Sequence, residues 1–64
     1  ERALIGVFER GMDDWRRTAK CAVDPLLRPN DAVLDGSDVW IAGTILYRID
    51  PSSAWMRVTE AVNG

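Results

Sequence analysis

The sequence predicts an α+β fold: one N-terminal helix followed by a small antiparallel β-meander of three to four strands. Three observations predict it. Apolar residues recur at helical spacing over residues 2–20. They alternate at strand spacing over residues 38–50. Between these lies "DPLLRPNDAVLDG", dense in turn formers.

The helix comes first. Ile5, Phe8, Met12, Trp15 and Ala19 stand 3, 4, 3 and 4 residues apart, which places them on one helical stripe. Leu4 broadens that stripe. Arg2, Glu9, Arg10, Asp13, Arg16 and Arg17 mostly fall elsewhere. Asp13 and Arg17 are spaced for a weak ion pair, acid first. Gly6 and Gly11 oppose the helix, each by about 1 kcal/mol relative to alanine, and Gly11 could divide it. The stripe is expected to be buried, with Phe8 and Trp15 in the core.

The strands follow. "TAKCAV" (Thr18–Val23) alternates and could enter a short strand. Pro25 and Pro29 fix φ and remove backbone donors, and the residue before each is pushed to extended geometry. Asp24–Pro29 is therefore an extended, poorly hydrogen-bonded segment. Asn30-Asp31 is a turn signal, Ala32–Leu34 a short strand, and Asp35-Gly36 a hairpin-turn dipeptide. Asp38–Asp50 is the long strand. Its odd positions, Val39, Ile41, Ile45, Tyr47 and Ile49, form a nearly continuous apolar face. Trp40, Ala42, Thr44, Leu46 and Arg48 form a mixed one. Gly43 in mid-strand marks a bulge or bend. Pro51 suits the first central position of a turn, and "AWMRVTEAV" is the last strand. The division is residues 1–20 as helix and 21–64 as small β-domain, one domain overall. A start at Glu1 rather than Met is compatible with a piece of a larger protein.

Composition limits the chemistry. A chain of 64 residues buries only roughly 60% of its unfolded surface and is marginal alone. Cys21 is the single cysteine and histidine is absent, so no internal disulfide and no His/Cys zinc site can form within one chain. Yet 47% of the residues are hydrophobic and three are tryptophan, more than so short a core needs. Partner chains are the expected support. The first twenty residues carry five Arg/Lys against four Asp/Glu, and the rest three against six. That is not the basic stripe of a nucleic-acid binder, although Arg10, Arg16, Arg17 and Lys20 would be its carriers. No run approaches the roughly 18 apolar residues of a membrane span, and the first residues do not read as a signal peptide.

No constellation announces an enzyme. Asp13 and Asp14 diverge on a helix. Asp31, Asp35 and Asp38 crowd one turn without the spacing of a calcium loop. Ser37, Ser52 and Ser53 lack a histidine to activate them. Cys21 reads as a small packed hydrophobe. Trp40, Tyr47 and Trp55 could stack bases or sugars, but without a basic groove they suit a core or an interface better. The expectation is a non-enzyme with no cofactor, no metal and no small-molecule substrate.

"DPLLRPND", "DG" and "YRIDPSSAWMRVTE", at this spacing, resemble the closing region of tail hub and minor tail proteins of tailed bacteriophages. The resemblance runs from about Thr18 to Ala61. It implies a small β-domain capped by the D-P-x-L-x-P-[GN]-D segment, with Asn30 in the place of the usual glycine. It also implies a virion protein of the tail hub or baseplate, assembled in the bacterial cytoplasm with other tail proteins or with copies of itself. A phage head–tail joining protein is the related alternative. A small cellular adaptor that binds a peptide at its sheet edge is an alternative of a different class. On this reading the two prolines stiffen an interface loop. The candidate interface residues are Leu26, Leu27, Arg28, Trp40 and Trp55. In an extended "LL" pair, one leucine can anchor inward while the other faces out.

Overall fold

A computed structural model describes residues 1–62. The chain is all-β, with no helix among the described residues. Its strands are β1 (Arg2–Ala3), β2 (Glu9–Asp13), β3 (Arg16–Cys21), β4 (Ala32–Asp35), β5 (Asp38–Asp50) and β6 (Ser53–Glu60). They form one six-stranded mixed sheet, ordered β1-β4-β5-β6-β3-β2 and curled into a half-barrel. Only the β1–β4 pairing is parallel.

The expected N-terminal helix is thus corrected, and with it the division into a helix at 1–20 and a separate β-domain. Residues 2–21 supply three strands of the same sheet. The helical spacing of the apolar residues is coincidental. Of the five residues at helical spacing only Ala19 is buried, along with the flanking Leu4, whereas Ile5, Phe8, Met12 and Trp15 are exposed. What folds the segment is a hairpin. Glu9 pairs with Lys20 and Asp13 with Arg16, leaving Asp14-Trp15 as a two-residue loop. Both loop residues have positive φ (52° and 66°), the pattern of a type I′ turn, whose twist matches that of the flanking strands.

Residues 4–8 cross the mouth of the half-barrel. Leu4 N–H donates to Leu34 O at one side, and at the other Ala22 N–H donates to Ile5 O and Phe8 N–H to Lys20 O. One stretch of chain therefore bonds to both flanks of the curled sheet. Arg10 on β2 adds a clasp: its Nη2 lies 2.7 Å from Asp35 Oδ1 on β4, and its Nε bonds both carboxylate oxygens.

The C-terminal half follows the expected meander more closely. The β4–β5 loop is Gly36-Ser37, one residue later than the expected dipeptide, closed by the Asp35–Asp38 pair. Positive φ at Gly36 (63°) but not at Ser37 is the type II′ pattern. A Cβ at Gly36 meets nothing within 4 Å, so the backbone alone resists substitution. Gly36→Val is expected to destabilise by about 1–2 kcal/mol, read as a lower midpoint in urea with an unchanged slope. A midpoint equal to the parent's would remove the II′ assignment.

The core consists of Leu4, Ala19, Cys21, Leu27, Val33, Trp40, Ala42, Met56 and Val58, with Val7, Val23 and Ile45 packed against it. The single apolar face expected for β5 is corrected here. Register slips between Ala42 and Thr44, and one extra residue inverts the inward side. Before the bulge Trp40 and Ala42 point inward while Val39 and Ile41 are exposed. After it, Ile45 packs on the core, and Tyr47 and Ile49 share its side of the strand.

Candidate functional site

Two of the surfaces left once the core is assigned lie on opposite faces of the β5–β6 hairpin. The first continues the core face. Ile45 pairs with Val58, Tyr47 with Met56, and Ile49 with Ala54. Met56 and Val58 are fully buried. β3 ends at Cys21, opposite Met56, and β4 pairs only with Asp38–Ile41. The hairpin therefore runs past its own cover. Tyr47, Ile49 and Ala54 form an exposed apolar lip, with Ile49 68% exposed. From Thr44 to Asp50, β5 also has no strand partner among the described residues on the side away from β6.

The second surface is on the outer face. Trp55 meets Phe8 edge to face, with ring centroids 5.9 Å apart. Lys20 Nζ sits 5.0 Å from the Trp55 ring centroid and 3.0 Å from Glu9 Oε2. The indole is thus held by an aromatic edge and a cation, which makes it a rigid, half-buried feature.

The "DPLLRPND" segment folds as two turns. Asp24 Oδ1 accepts Leu26 N–H, and Leu27 N–H donates to Asp24 O. In the second turn Asp31 N–H donates to Arg28 O while Asp31 Oδ2 accepts Arg28 N–H. Pro29 and Asn30 are its central residues, and Asn30 has φ 77°, the geometry a type II turn requires at that position. Asp24 N–H points at Met56 Sδ, 3.5 Å away, which brings the first turn to the lip end of the sheet.

Of the expected interface residues, Leu26 and Arg28 are exposed on these turns and Trp55 lies on the outer face. Leu27 and Trp40 are corrected: both are buried in one core cluster, Trp40 at 4% exposure. Leu27 alternates inward from Leu26, and Trp40 faces inward because it precedes the bulge. The five do not form a single surface patch: Leu27 and Trp40 meet in the core, and Leu26, Arg28 and Trp55 stay outside it.

Charged groups are engaged locally. Asp35, 8% exposed, holds the Arg10 clasp. Lys20 is held by Glu9. On β3, Arg17 alternates with Arg16 and Lys20, so the four N-terminal cations divide between the two faces of the sheet. Burial pushes the Cys21 thiol up from its ordinary range, and the side chain is fully enclosed. Among the described residues no group of three or more His, Cys, Asp or Glu could hold a metal ion. No helix among them is long and apolar enough to cross a membrane.

Asp24 has a second partner. Arg2 Nε lies 2.7 Å from its Oδ2, fastening β1 to the first turn. The hydrogen bond from Arg2, then that from Leu26 N–H, holds the Asp24 carboxyl below the usual carboxylate range. A depressed folded pKa contributes stability above the unfolded value and loses it as pH falls through the folded one. The gap in melting temperature between the parent and Asp24→Asn should therefore be full above about pH 4 and close at lower pH. A gap that is constant through the acid range would show that Asp24 acts through shape rather than charge.

Sequence reasoning missed the lip, because it carried one face through the bulge. It also missed the Asp14-Trp15 turn, because that dipeptide lacks the glycine expected of type I′. The alternation of Arg17, Ala19 and Cys21 against Arg16, Thr18 and Lys20 was the available signal. Comparison with known protein families, with curated proteins and with solved structures finds no match.

Proposed function

We propose that this chain is a structural component of a tailed-bacteriophage virion, of the tail hub or baseplate type, and that it acts by assembling with neighbouring chains. The virion assignment rests on the resemblance carried by "DPLLRPND", "DG" and "YRIDPSSAWMRVTE". The assembly role has a physical support of its own, and one observation carries it. The β5–β6 hairpin extends past its own core with Leu46, Tyr47 and Ile49 exposed and one backbone edge unpaired. An apolar strand edge of this kind is a template for association unless something covers it. The lip is continuous with the core, so a partner's side chains would extend that core.

The test is co-expression with the proteins encoded beside the chain, followed by co-purification and electron microscopy. Incorporation into a ring, tube or hub is the expected result. A well-dispersed monomer at micromolar concentration that binds none of those proteins would sink the reading. The bare Thr44–Asp50 edge also suits the second reading, an adaptor that takes an extended peptide as an added strand. Capture of a short linear motif, with no higher assembly by microscopy, would favour that one.

A further inference from the structure

We infer that the outer face around Trp55 is a binding site for single-stranded nucleic acid, with a base stacked on the indole and the phosphates taken by Lys20, Arg57 and Arg48. The inference goes beyond the assembly reading and does not rest on it, because this face is turned away from the lip. It begins from a pairing that stability does not explain. Lys20 on β3 stands directly opposite Arg57 on β6, and like charges so placed are destabilising. Glu9 answers Lys20. Arg57 is exposed, and among the described residues no carboxylate lies within salt-bridge distance of it. Directly opposed side chains have Cβ atoms about 4.5–5.5 Å apart, so a single oxyanion can be held by both cations and relieve their repulsion.

Register gathers the patch from three strands. Arg57 pairs with Leu46 on its other side, and the next outward pair is Arg48 with Trp55. In the opposite direction the outward positions are a row of hydroxyls, Thr44 paired with Thr59 and Thr59 with Thr18. The chain has net charge −2 and ten Asp and Glu residues, yet none of them stands at an outward position between the threonine row and the Arg48–Trp55 pair. Carboxylates border the patch instead. Glu9 holds Lys20 from β2, and Asp50 lies 3.7 Å from Arg48 at the end of β5. Both are exposed, and exposed pairs hold weakly, so they orient the cations and yield to a phosphate. Of the four cations in residues 10–20 only Lys20 belongs to the patch, which is why a charge count along the chain does not find it.

The indole decides between anionic partners. An acidic polypeptide would use the cations and leave the ring without a role. A nucleotide strand uses both, since its phosphates seek the cations and its bases stack on aromatic rings and on guanidinium planes. Trp55 is prepared for this. The Phe8 ring meets it edge to face and the Lys20 ammonium lies 5.0 Å from its centroid, so little side-chain freedom is left to lose on binding. Arg48, directly across the ladder, offers a second plane. An open sheet face cannot enter a duplex groove, whereas it can receive splayed bases.

The test is fluorescence anisotropy of a labelled oligothymidylate of about ten nucleotides, titrated with the full chain over a range of salt. Binding that weakens steeply with salt is expected, with a duplex of the same length bound more weakly. Arg57→Gln removes one member of the opposed pair, so its melting temperature should equal or exceed the parent's while the salt slope falls by about 0.7. Trp55→Leu should weaken binding at least about fivefold. If that variant does not fold, Arg57→Gln still decides the matter. Arg28→Gln makes the same charge change off the patch and should leave affinity and slope near the parent's. A parent that does not bind the oligonucleotide at low salt overturns the site. So does a duplex bound as tightly, or an Arg28→Gln loss equal to that of Arg57→Gln. Polyglutamate bound in preference to the oligonucleotide gives the patch to an acidic protein partner and overturns the nucleic-acid assignment. Each of these results leaves the assembly reading in place, since that reading is tested at the lip.

Discussion

Trp40→Ala is expected to unfold most of the chain at 37 °C. Trp40 is 4% exposed and packs in the cluster with Leu27, Val33, Ala42 and Met56. It pairs with Val33 across the β4–β5 ladder, so the vacated space would open between two strands of a thin sheet. Truncating a buried tryptophan costs about 3–5 kcal/mol. At roughly 0.05–0.15 kcal/mol per residue, a chain of this length holds a total of about 3–10 kcal/mol. The loss is thus comparable with the whole. Circular dichroism during a thermal ramp would show it, as a melting temperature lower by tens of degrees at about 4–8 °C per kcal/mol. A folded Trp40→Ala chain with a near-parental melting temperature would mean that the indole serves a surface instead of the core. Trp15→Gly is the matched control, since the same residue type at an exposed tip should be dispensable for folding.

Gly43→Val is expected to be comparably severe for a different reason. A Cβ built there comes within 2.7 Å of Ala61 Cα, 2.9 Å of Ala61 N and 3.0 Å of Glu60 O. These are backbone atoms of the chain leaving β6, and they cannot rotate away. The strand must either separate from its neighbour or lose its bulge. Losing the bulge would throw Ile45, Tyr47 and Ile49 to the opposite face. Overpacking usually costs 1–3 kcal/mol, and an obstacle made of paired backbone belongs at the upper end, about 3 kcal/mol. Gly43→Ala should lose nearly as much, because the first carbon already collides. Chemical denaturation of the two variants checks this. An alanine variant as stable as the parent would show that β6 yields freely at Ala61.

The β4–β5–β6 meander was legible because its punctuation is chemical. Gly36 supplies positive φ, Pro51 fixes a turn, and between them Asp38–Asp50 reads as the strand that is observed. Gly43 was legible as a bulge, but its effect on the inward side was not followed through, which put Trp40 on the surface instead of in the core. The opposite fates of Leu26 and Leu27 could be read from adjacency alone. The N-terminal third was not legible. Five apolar residues happen to fall at helical intervals, and the turn between β2 and β3 uses Asp14 and Trp15 where the backbone favours glycine. That curling would leave Phe8, Met12 and Trp15 outside depends on contacts such as Arg10–Asp35, 25 residues apart, which no local window contains. The lip was hidden for a related reason: it exists because β3 and β4 stop short, a fact about neighbours and not about β5.

The stretch that bridges the mouth has a consequence for the order of folding. β5 and β6 are joined by a two-residue turn, as are β4 and β5, so these ladders can zip from their loops with little chain entropy to overcome. The first residues are different. Leu4 is bonded to Leu34, and Arg10 reaches Asp35. Residues 1–10 therefore have no complete seat until residue 35 has followed them. Non-local closure of this kind slows folding, and it makes the N-terminal arm the last piece to be placed and the first to open. The Leu4 and Phe8 amides would exchange with solvent through openings that leave the meander closed, while that of Val58, paired with Ala19 in the interior of the sheet, would wait for global unfolding.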